Sequence, residues 1–205
     1  AQILAAETQV AVDDLYRPYR PKRRTRATIA KEKGLEPLAN LILLQKMTET
    51  PLEEAKKYIN PEKEVNTAED ALNGAKDILA ESVSDNADFR THIRELTMKH
   101  GQLLSAAKDP EAESVYEMYY EFSESLSKLA GHRILAISRG EKEKFLTVKI
   151  DAPVDRILSY LDRKLITAPS APTAAVLHEV TEDAYNRLIA PAIEREIRSD
   201  LFEKA

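Results

Sequence analysis

The stretch FLTVKI, residues 145–150, has the clearest strand pattern in the sequence, because apolar and β-branched side chains alternate along it. A lone strand leaves backbone hydrogen-bonding groups without partners, so a second strand is required. We predict that residues 102–107 supply it and pair antiparallel with 145–150, with the helices of 112–140 between them. Outward from this pair, apolar residues recur mainly at helical spacing.

Helix-start signals recur along the flanking sequence. Thr25 is placed to cap a short helix that Gly34 ends. Thr50-Pro51-Leu52-Glu53 has the form of a capping box with proline in the first turn. Thr67 is expected to begin a further helix, in which apolar residues continue at helical spacing. Most of the chain is therefore predicted to be short helices.

The last segment, residues 173–204, is one amphipathic run and is predicted to be the longest helix. Pro191 lies inside it, so we expect a kink there or packing that tolerates the lost hydrogen bond. The predicted fold class is mostly α: a multi-helix array with one small antiparallel two-stranded β pair and a long C-terminal helix. We expect that helix to continue beyond this sequence.

Composition excludes several classes of site. The 205 residues are 43% hydrophobic and 32% charged, as is typical of a globular protein with charged helix surfaces. The five glycines are isolated from one another, so no glycine-rich phosphate loop is present. There is no cysteine, which excludes disulfides and thiolate metal ligands. The lack of cysteine is also compatible with a cytosolic protein. No apolar run reaches bilayer length and no signal peptide is recognisable, so we expect no membrane partner.

The charge of the sequence is unevenly distributed. The net charge is -5, but residues 1–33 contain eight basic and four acidic side chains and carry +4, which leaves -9 on the remainder. Nucleic-acid-binding domains usually have a high isoelectric point, whereas that of this sequence is about 5.5. A nucleic-acid contact would therefore have to be local.

The positive charge is concentrated in DDLYRPYRPKRRTR, residues 13–26. Two prolines stiffen this arm, its guanidinium groups match phosphates, and its tyrosine rings can stack on bases. The alternative is structural: the tyrosines pack on neighbouring helices and the arginines pair with acidic helices downstream. The candidate nucleic-acid-binding residues are Arg17, Arg20, Lys22, Arg23, Arg24, Arg26, Tyr16 and Tyr19.

Other constellations indicate no catalytic or metal site. His92 and His100 lie eight residues apart on one predicted helix, too far for a chelating i, i+4 pair, and no GxSxG motif is present. We therefore predict no catalytic residue, no metal, no cofactor, no small-molecule substrate and no enzyme activity.

Two further clusters have structural explanations. The first is aromatic and is interpreted mainly as packing between elements: Tyr116, Met118, Tyr119, Tyr120 and Phe122. The second is basic, and its arginine at a predicted helix C-terminus is explained by the helix dipole: Arg133, Arg139, Lys142, Lys144 and Lys149.

Three stretches resemble the bacterial Tex proteins, the transcription accessory proteins. They are DDLYRPYRPKRRTRATIAKEKGLEPLA at 13–39, YYEFSESLSKLAGHRILAISRGEKE at 119–143 and EDAYNRLIAPAIERE at 182–196. The resemblance implies a cytoplasmic, nucleic-acid-binding factor associated with transcription, with a mostly helical scaffold related to a eukaryotic elongation factor. The family architecture also has a YqgF module and an S1 domain, and neither is recognisable in this sequence.

The resemblance and the residues together predict the organisation of the chain. Residues 1–34 form the tail of an upstream helix, the basic arm and a short helix; 35–166 form a helical scaffold with the β pair; 173–204 form the long helix. The first functional hypothesis is a non-enzymatic transcription accessory protein whose intact form binds RNA or DNA, with the transcription machinery as a partner. The alternative is a scaffold that binds proteins or positions domains and has no nucleic-acid binding of its own.

Overall fold

The computed structural model describes residues 24–204, apart from the side chain of Lys204. Its strands are β1 Gln102–Ala107, β2 Glu121–Ser125 and β3 Leu146–Asp151. Short 3₁₀ turns lie at Lys56–Tyr58, Pro61–Lys63, Glu117–Tyr119 and Leu126–Lys128. The helices are α1 Arg26–Glu32, α2 Glu36–Leu44, α3 Pro51–Ala55, α4 Ala68–Ser84, α5 Ala87–His100, α6 Gly131–Lys142, α7 Val154–Leu165, α8 Thr173–Asp183 and α9 Ala190–Lys204, with a π-helical turn at Ala184–Ile189. The predicted mostly-α class is confirmed.

The described residues form two compact units. The first contains residues 24–90 and Leu158–Ile189, and the second contains Thr91–Ile157 and residues 190–204. Each unit is therefore assembled from segments that are distant in sequence. The three sequence segments proposed above stay a prediction about the organisation of the chain.

The helix α4 lies at the centre of the first unit. A Cβ atom added at Gly74 would overlap Leu35 Cδ1 and lie 3.3 Å from the Ala30 Cβ, so the missing side chain lets α1 approach α4 closely. The buried face of α4 recurs at helical spacing and contains Ala71, Leu72, Ala75, Ile78 and Leu79.

The predicted helix starts in this unit are confirmed by their caps. The Thr50 hydroxyl oxygen accepts a hydrogen bond from the Glu53 N–H at 3.2 Å, and that of Thr67 accepts from the Asp70 N–H at 3.1 Å. The Glu53 carboxylate contacts Lys56 at 3.1 Å. Each cap satisfies a backbone donor that the first helical turn leaves free.

The second unit contains the sheet, and the predicted strand pair is confirmed. Strands β1 and β3 are antiparallel, with Ser105 opposite Val148 and Leu103 opposite Ile150. The sheet has a third strand, β2, so its order is β2-β1-β3 rather than a two-stranded pair. The sequence of β2, EFSES, has no β-branched residue, so this strand depends on pairing with β1 rather than on intrinsic propensity.

Side chains of α9 cover the outer edge of β3. The Arg198 guanidinium donates to the Val148 carbonyl at 2.8 Å, and the Ile150 N–H donates to the Glu194 carboxylate at 3.3 Å. An open strand edge presents unpaired backbone groups to any other chain. These two side chains satisfy such groups on β3.

The final helical run is continuous from Thr173 to Lys204, which confirms the predicted long C-terminal helix. The π-helical turn, Ala184–Ile189, lies immediately before Pro191. Proline cannot donate the i to i-4 hydrogen bond, and its ring crowds the preceding turn. A wider π turn at this point accommodates both effects and lets the helix continue.

Candidate nucleic-acid interface

Two of the eight candidate residues, Arg24 and Arg26, fall within the part of the chain that the structure describes. The other six lie outside the described residues: Tyr16, Arg17, Tyr19, Arg20, Lys22 and Arg23. Both described arginines are exposed at the start of α1. The arm as a whole therefore stays a prediction, and the structure describes its C-terminal end.

A threonine cap fixes the start of α1. The Thr25 hydroxyl oxygen accepts from the Thr28 N–H at 3.2 Å, and the Thr28 hydroxyl oxygen accepts from the Thr25 N–H at 2.7 Å. The Thr25 hydroxyl also donates to the Glu81 carboxylate at 2.7 Å, which ties this turn to α4. The cap sets where the chain leaves α1 toward the arm.

Arg24, which precedes α1, has an acidic partner on that helix. Its guanidinium forms a salt bridge with Glu32 at 3.0 Å, in which the two side chains are 67% and 56% exposed. A pair exposed to this extent is weak, since water and salt screen it. Arg24 is accessible, and Glu32 compensates part of its charge.

Arg26 lies beside acidic groups of α4. With Lys33 it lines an open cleft of about 260 Å³ whose other charged residues include Asp70 and Asp77. Burial raises the pKa of the Asp77 carboxyl, and the positive charges of Arg187 and Arg26 oppose that rise. The positive field of Arg26 is therefore partly compensated within the first unit.

The opposite flank of α1 also faces acidic groups. Lys31 lines a second open cleft, of about 330 Å³, together with Glu36, Glu81 and Asp85. Both flanks of α1 thus carry basic side chains above an acidic neighbourhood. This arrangement matches the structural alternative for the end of the arm.

The second basic stretch has the opposite character. We call four of its residues the basic corner, since they follow one another from the last turn of α6 to β3 and all are exposed: Arg139, Lys142, Lys144 and Lys149. The fifth, Arg133, pairs instead with Glu124 at 2.9 Å. Among residues 24–204, none of the four corner cations forms a salt bridge.

The acidic residues interspersed in the basic corner are engaged elsewhere. Glu141 pairs with Arg198 of α9, and Glu143 accepts a hydrogen bond from the Tyr116 hydroxyl. That hydrogen bond raises the pKa of the Tyr116 phenol, and burial adds to the rise. The cations of the basic corner are therefore exposed, while the two acidic residues between them, Glu141 and Glu143, are bound to Arg198 and Tyr116.

Sequence reasoning underestimated this corner. The helix dipole accounts for the positions of Arg139 and Lys142 in the last turn of α6, but not for Lys144 or Lys149. The missing information was which groups Glu141 and Glu143 contact, and those contacts depend on the fold. The only available signal was local charge, six bases against two acids over 128–149.

The aromatic cluster is mainly packing, as predicted. Tyr116 and Tyr119 are buried, and the Tyr119 ring meets that of Phe122 edge to face at 5.2 Å. Met118 differs from the aromatic members, since its side chain is exposed. The buried rings of Tyr116 and Tyr119 are not available to stack on bases.

The histidines give no metal site in the described part of the chain, where no group of three possible ligands has suitable geometry. His178 lies between two carboxylates of the first unit, with Nδ1 2.7 Å from Asp162 and Nε2 2.8 Å from Glu182. The hydrogen bond with Asp162 raises the pKa of the His178 imidazole. Across residues 24–204, no helix is long and apolar enough to cross a membrane.

The described residues form a helical array with a small three-stranded sheet. The family model described as Tex central region-like matches residues 46–205, and the chain belongs to this family. That match includes the basic corner and begins after the candidate arm.

Comparison with curated proteins agrees with this assignment. The chain is 51% identical over 197 residues to the protein YdcI of Bacillus subtilis. That alignment covers 95% of this chain and 27% of YdcI. It is 38% identical over 220 residues to Protein tex of Bordetella pertussis, covering 100% of the chain and 28% of that protein. It is 30% identical over 220 residues to the human S1 RNA-binding domain-containing protein 1, covering 99% of this chain and 22% of the human protein. The chain thus spans about a quarter of the length of these relatives.

Proposed function

We propose that this chain is the helical scaffold of a non-enzymatic, transcription-associated protein of the cytoplasm that contacts nucleic acid through phosphate-binding basic residues. Membership of the Tex family supports the association with transcription, as does the name of a relative from Neisseria gonorrhoeae, Transcriptional accessory protein Tex. The human relative is named for an S1 RNA-binding domain, which supports nucleic acid as the partner of the intact protein.

The observation that carries the proposal is the basic corner. Its four cations are exposed and form no salt bridge among residues 24–204, although Glu141 and Glu143 are adjacent in sequence. Cations in this state can release the counterions of a phosphate backbone without first breaking an internal pair. The corner therefore supplies electrostatic affinity that does not depend on base sequence.

The arm is proposed to add a second contact. Its guanidinium groups would bind phosphates through paired N–H donors, and Tyr16 and Tyr19 would stack on unpaired bases. Because stacking requires a base outside a duplex, this contact favours single-stranded nucleic acid. The corner would bind either a single strand or a duplex, since it offers charge alone.

A scaffold without nucleic-acid binding is the second candidate, and the geometry of α1 favours it. Arg24 pairs with Glu32, and Arg26 lies above Asp77 in an acidic cleft. If the whole arm follows this pattern, its charges serve internal packing. The arm and the corner must therefore be tested separately.

Fluorescence anisotropy of this chain with a labelled single-stranded RNA and a DNA duplex, over a range of salt concentrations, tests the proposal. Neutralising about four phosphates gives a log–log salt slope of about -3 to -4. One variant replaces the arm cations Arg20, Lys22, Arg23 and Arg24 with Gln. A second variant replaces the corner cations Arg139, Lys142, Lys144 and Lys149 with Gln.

The matched control removes the same charge from the first unit by changing Lys46, Lys56, Lys57 and Lys63 to Gln. We expect the salt slope of the corner variant to become shallower by about 3, whereas the control variant should keep most of the original slope. Equal losses in all variants would mean a non-specific charge effect. Absence of binding at low salt would favour the scaffold alternative.

A further inference from the structure

The outer edge of β2 is open in the described part of the chain. The Ala107 N–H donates to the Tyr120 carbonyl, and the Leu126 N–H donates to the Gly101 carbonyl. Residues that bond to β1 alternate along the strand, so Phe122 and Glu124 also face β1. The backbone groups of Glu121, Ser123 and Ser125 then point away from the sheet, and no strand within residues 24–204 pairs with them.

This open edge contrasts with the edge of β3, which Arg198 and Glu194 cover. Proteins commonly block exposed edges with proline, lysine or an inward-pointing charge. The five residues of β2 include neither proline nor lysine. Within residues 24–204, the sheet is therefore open to strand addition on one side only.

The segment that leads into β2 presents two apolar side chains to solvent. Val115 is 85% exposed and Met118 is 69% exposed. Met118 precedes Glu121 by three residues, so their Cα atoms are at most about 11 Å apart. Both apolar side chains lie close in sequence to the open edge and form one candidate contact surface with it.

The segment holds these side chains in a fixed geometry. The Tyr120 hydroxyl donates to the Ala112 carbonyl at 2.6 Å, and the Tyr116 N–H donates to the Ser114 hydroxyl oxygen at 3.1 Å. Tyr116 and Tyr119, on either side of Met118, are buried. Val115 and Met118 are thus exposed on a backbone anchored by their neighbours, which lowers the entropy cost of binding.

The charge of this surface selects the partner. Five exposed acidic side chains lie within or just before this stretch of sequence: Asp109, Glu111, Glu113, Glu117 and Glu121. Lys108 is the only basic residue from 108 to 125. A partner of complementary charge is attracted to this surface, and an acidic one, including nucleic acid, is repelled.

We propose that β2, together with Val115 and Met118, docks an extended segment of another protein in which lysine or arginine alternates with apolar residues. The segment adds a fourth strand beside β2 through backbone hydrogen bonds. Its apolar side chains contact Val115 and Met118, and its cations face the acidic rim. The proposal uses no residue of the arm or of the basic corner, so it stands or falls independently of nucleic-acid binding.

The test uses a fluorescent heptapeptide of alternating lysine and valine with this chain, followed by anisotropy and amide hydrogen exchange. We expect saturable binding and slower exchange of the Ser123 amide. A peptide with glutamate in place of lysine should not bind. A peptide methylated on alternate backbone nitrogens, which lacks the donors for one edge, should bind about 30-fold more weakly, as expected for the loss of about two hydrogen bonds.

Two variants address the protein side. Ser123→Pro removes an outward-pointing backbone N–H but no hydrogen bond to β1. It should abolish binding of the lysine–valine peptide. The variant Val115→Ser, Met118→Ser leaves the backbone of β2 intact and should weaken binding about 10-fold. Val154→Ser is the matched control, since Val154 is an exposed apolar residue that follows β3, on the other side of the sheet.

Equal binding of the methylated and unmethylated peptides would overturn strand addition, and equal binding of the glutamate peptide would overturn the charge argument. Failure of the lysine–valine peptide to bind at all would overturn the proposal. Sedimentation of the chain alone gives the remaining outcome. A dimer that Ser123→Pro converts to monomer would assign the edge to a second copy of this chain and overturn the proposed partner.

Discussion

Residues 24–33 and residues 139–149 each carry four basic side chains, and by sequence the first region has the higher net charge, +3 against +2. Their surroundings reverse that order. In the first region Arg24 pairs with Glu32 and Arg26 faces Asp77, whereas in the second the acidic residues are bound by groups outside the corner. The positive charge that a basic stretch can offer to a ligand therefore depends on which groups bind the nearby carboxylates. Those contacts are set by the fold.

The largest effect is expected from crowding the packing beneath the basic corner, at Gly140. In Gly140→Ala the new Cβ would overlap Leu146 Cδ1 and lie 3.2 Å from Tyr116 Cδ1. Overpacking of this kind costs about 1–3 kcal/mol of unfolding free energy. Urea denaturation measures that loss. Gly131→Ala is the control, since nothing lies within 4 Å of its new Cβ; equal losses in the two variants would refute the packing argument.

The next largest effect is expected when Glu141 is released from its partner and its negative charge becomes available to the basic corner. Arg198→Met removes the partner of Glu141 and the donor to the Val148 carbonyl. We expect a loss of about 1–3 kcal/mol in unfolding free energy, because the removed hydrogen bonds are charge-assisted. The nucleic-acid salt slope should also become shallower by about 1. Arg195→Met, an exposed arginine of the same helix, is the control and should change the slope less.

His178 tests the same principle with a titratable cation. Its pKa is raised in the folded state, so the stabilisation is fully present below the unfolded pKa of about 6.5 and is lost as the pH rises through the folded value. The side chain is half-exposed, so the effect should stay below about 1 kcal/mol. Thermal unfolding from pH 6 to about 8 measures it. His178→Gln should flatten the profile, and an unchanged profile would exclude the histidine as its source.

The smallest effect is expected at the exposed pair of α1. Glu32→Gln releases Arg24 and should change the unfolding free energy by less than about 0.5 kcal/mol. If Arg24 contacts phosphate, the salt slope for single-stranded RNA should steepen slightly, by less than about 1. Glu62→Gln, an exposed acid of the same unit, is the control. Identical slopes for both variants would place Arg24 outside the contact.

The fold could be predicted wherever a local signal was strong. The alternation in FLTVKI identified β3, the need of a lone strand for a partner led to the pairing with 102–107, and threonines marked helix starts. The strand β2 could not be predicted, because EFSES has little strand propensity and is held by β1. The π turn before Pro191 was also beyond the sequence, which predicted only that the helix must yield there.

The candidate site could be predicted only in part. The sequence located both basic stretches, because charge density is local. It could not rank them, because the contacts of Glu141 with Arg198 and of Glu143 with Tyr116 join residues 57 and 27 positions apart. The six arm residues before Arg24 lie outside the described residues, so their role stays a prediction.

The unequal edges of the sheet limit how copies of this chain can assemble. A polymer of strands grows only if each added copy exposes a new edge for the next copy. Arg198 and Glu194 occupy the β3 edge, so a copy that joins through β2 presents only a covered edge to the next. Growth by strand addition then stops at two copies, and the sheet resists fibre formation while one edge stays open.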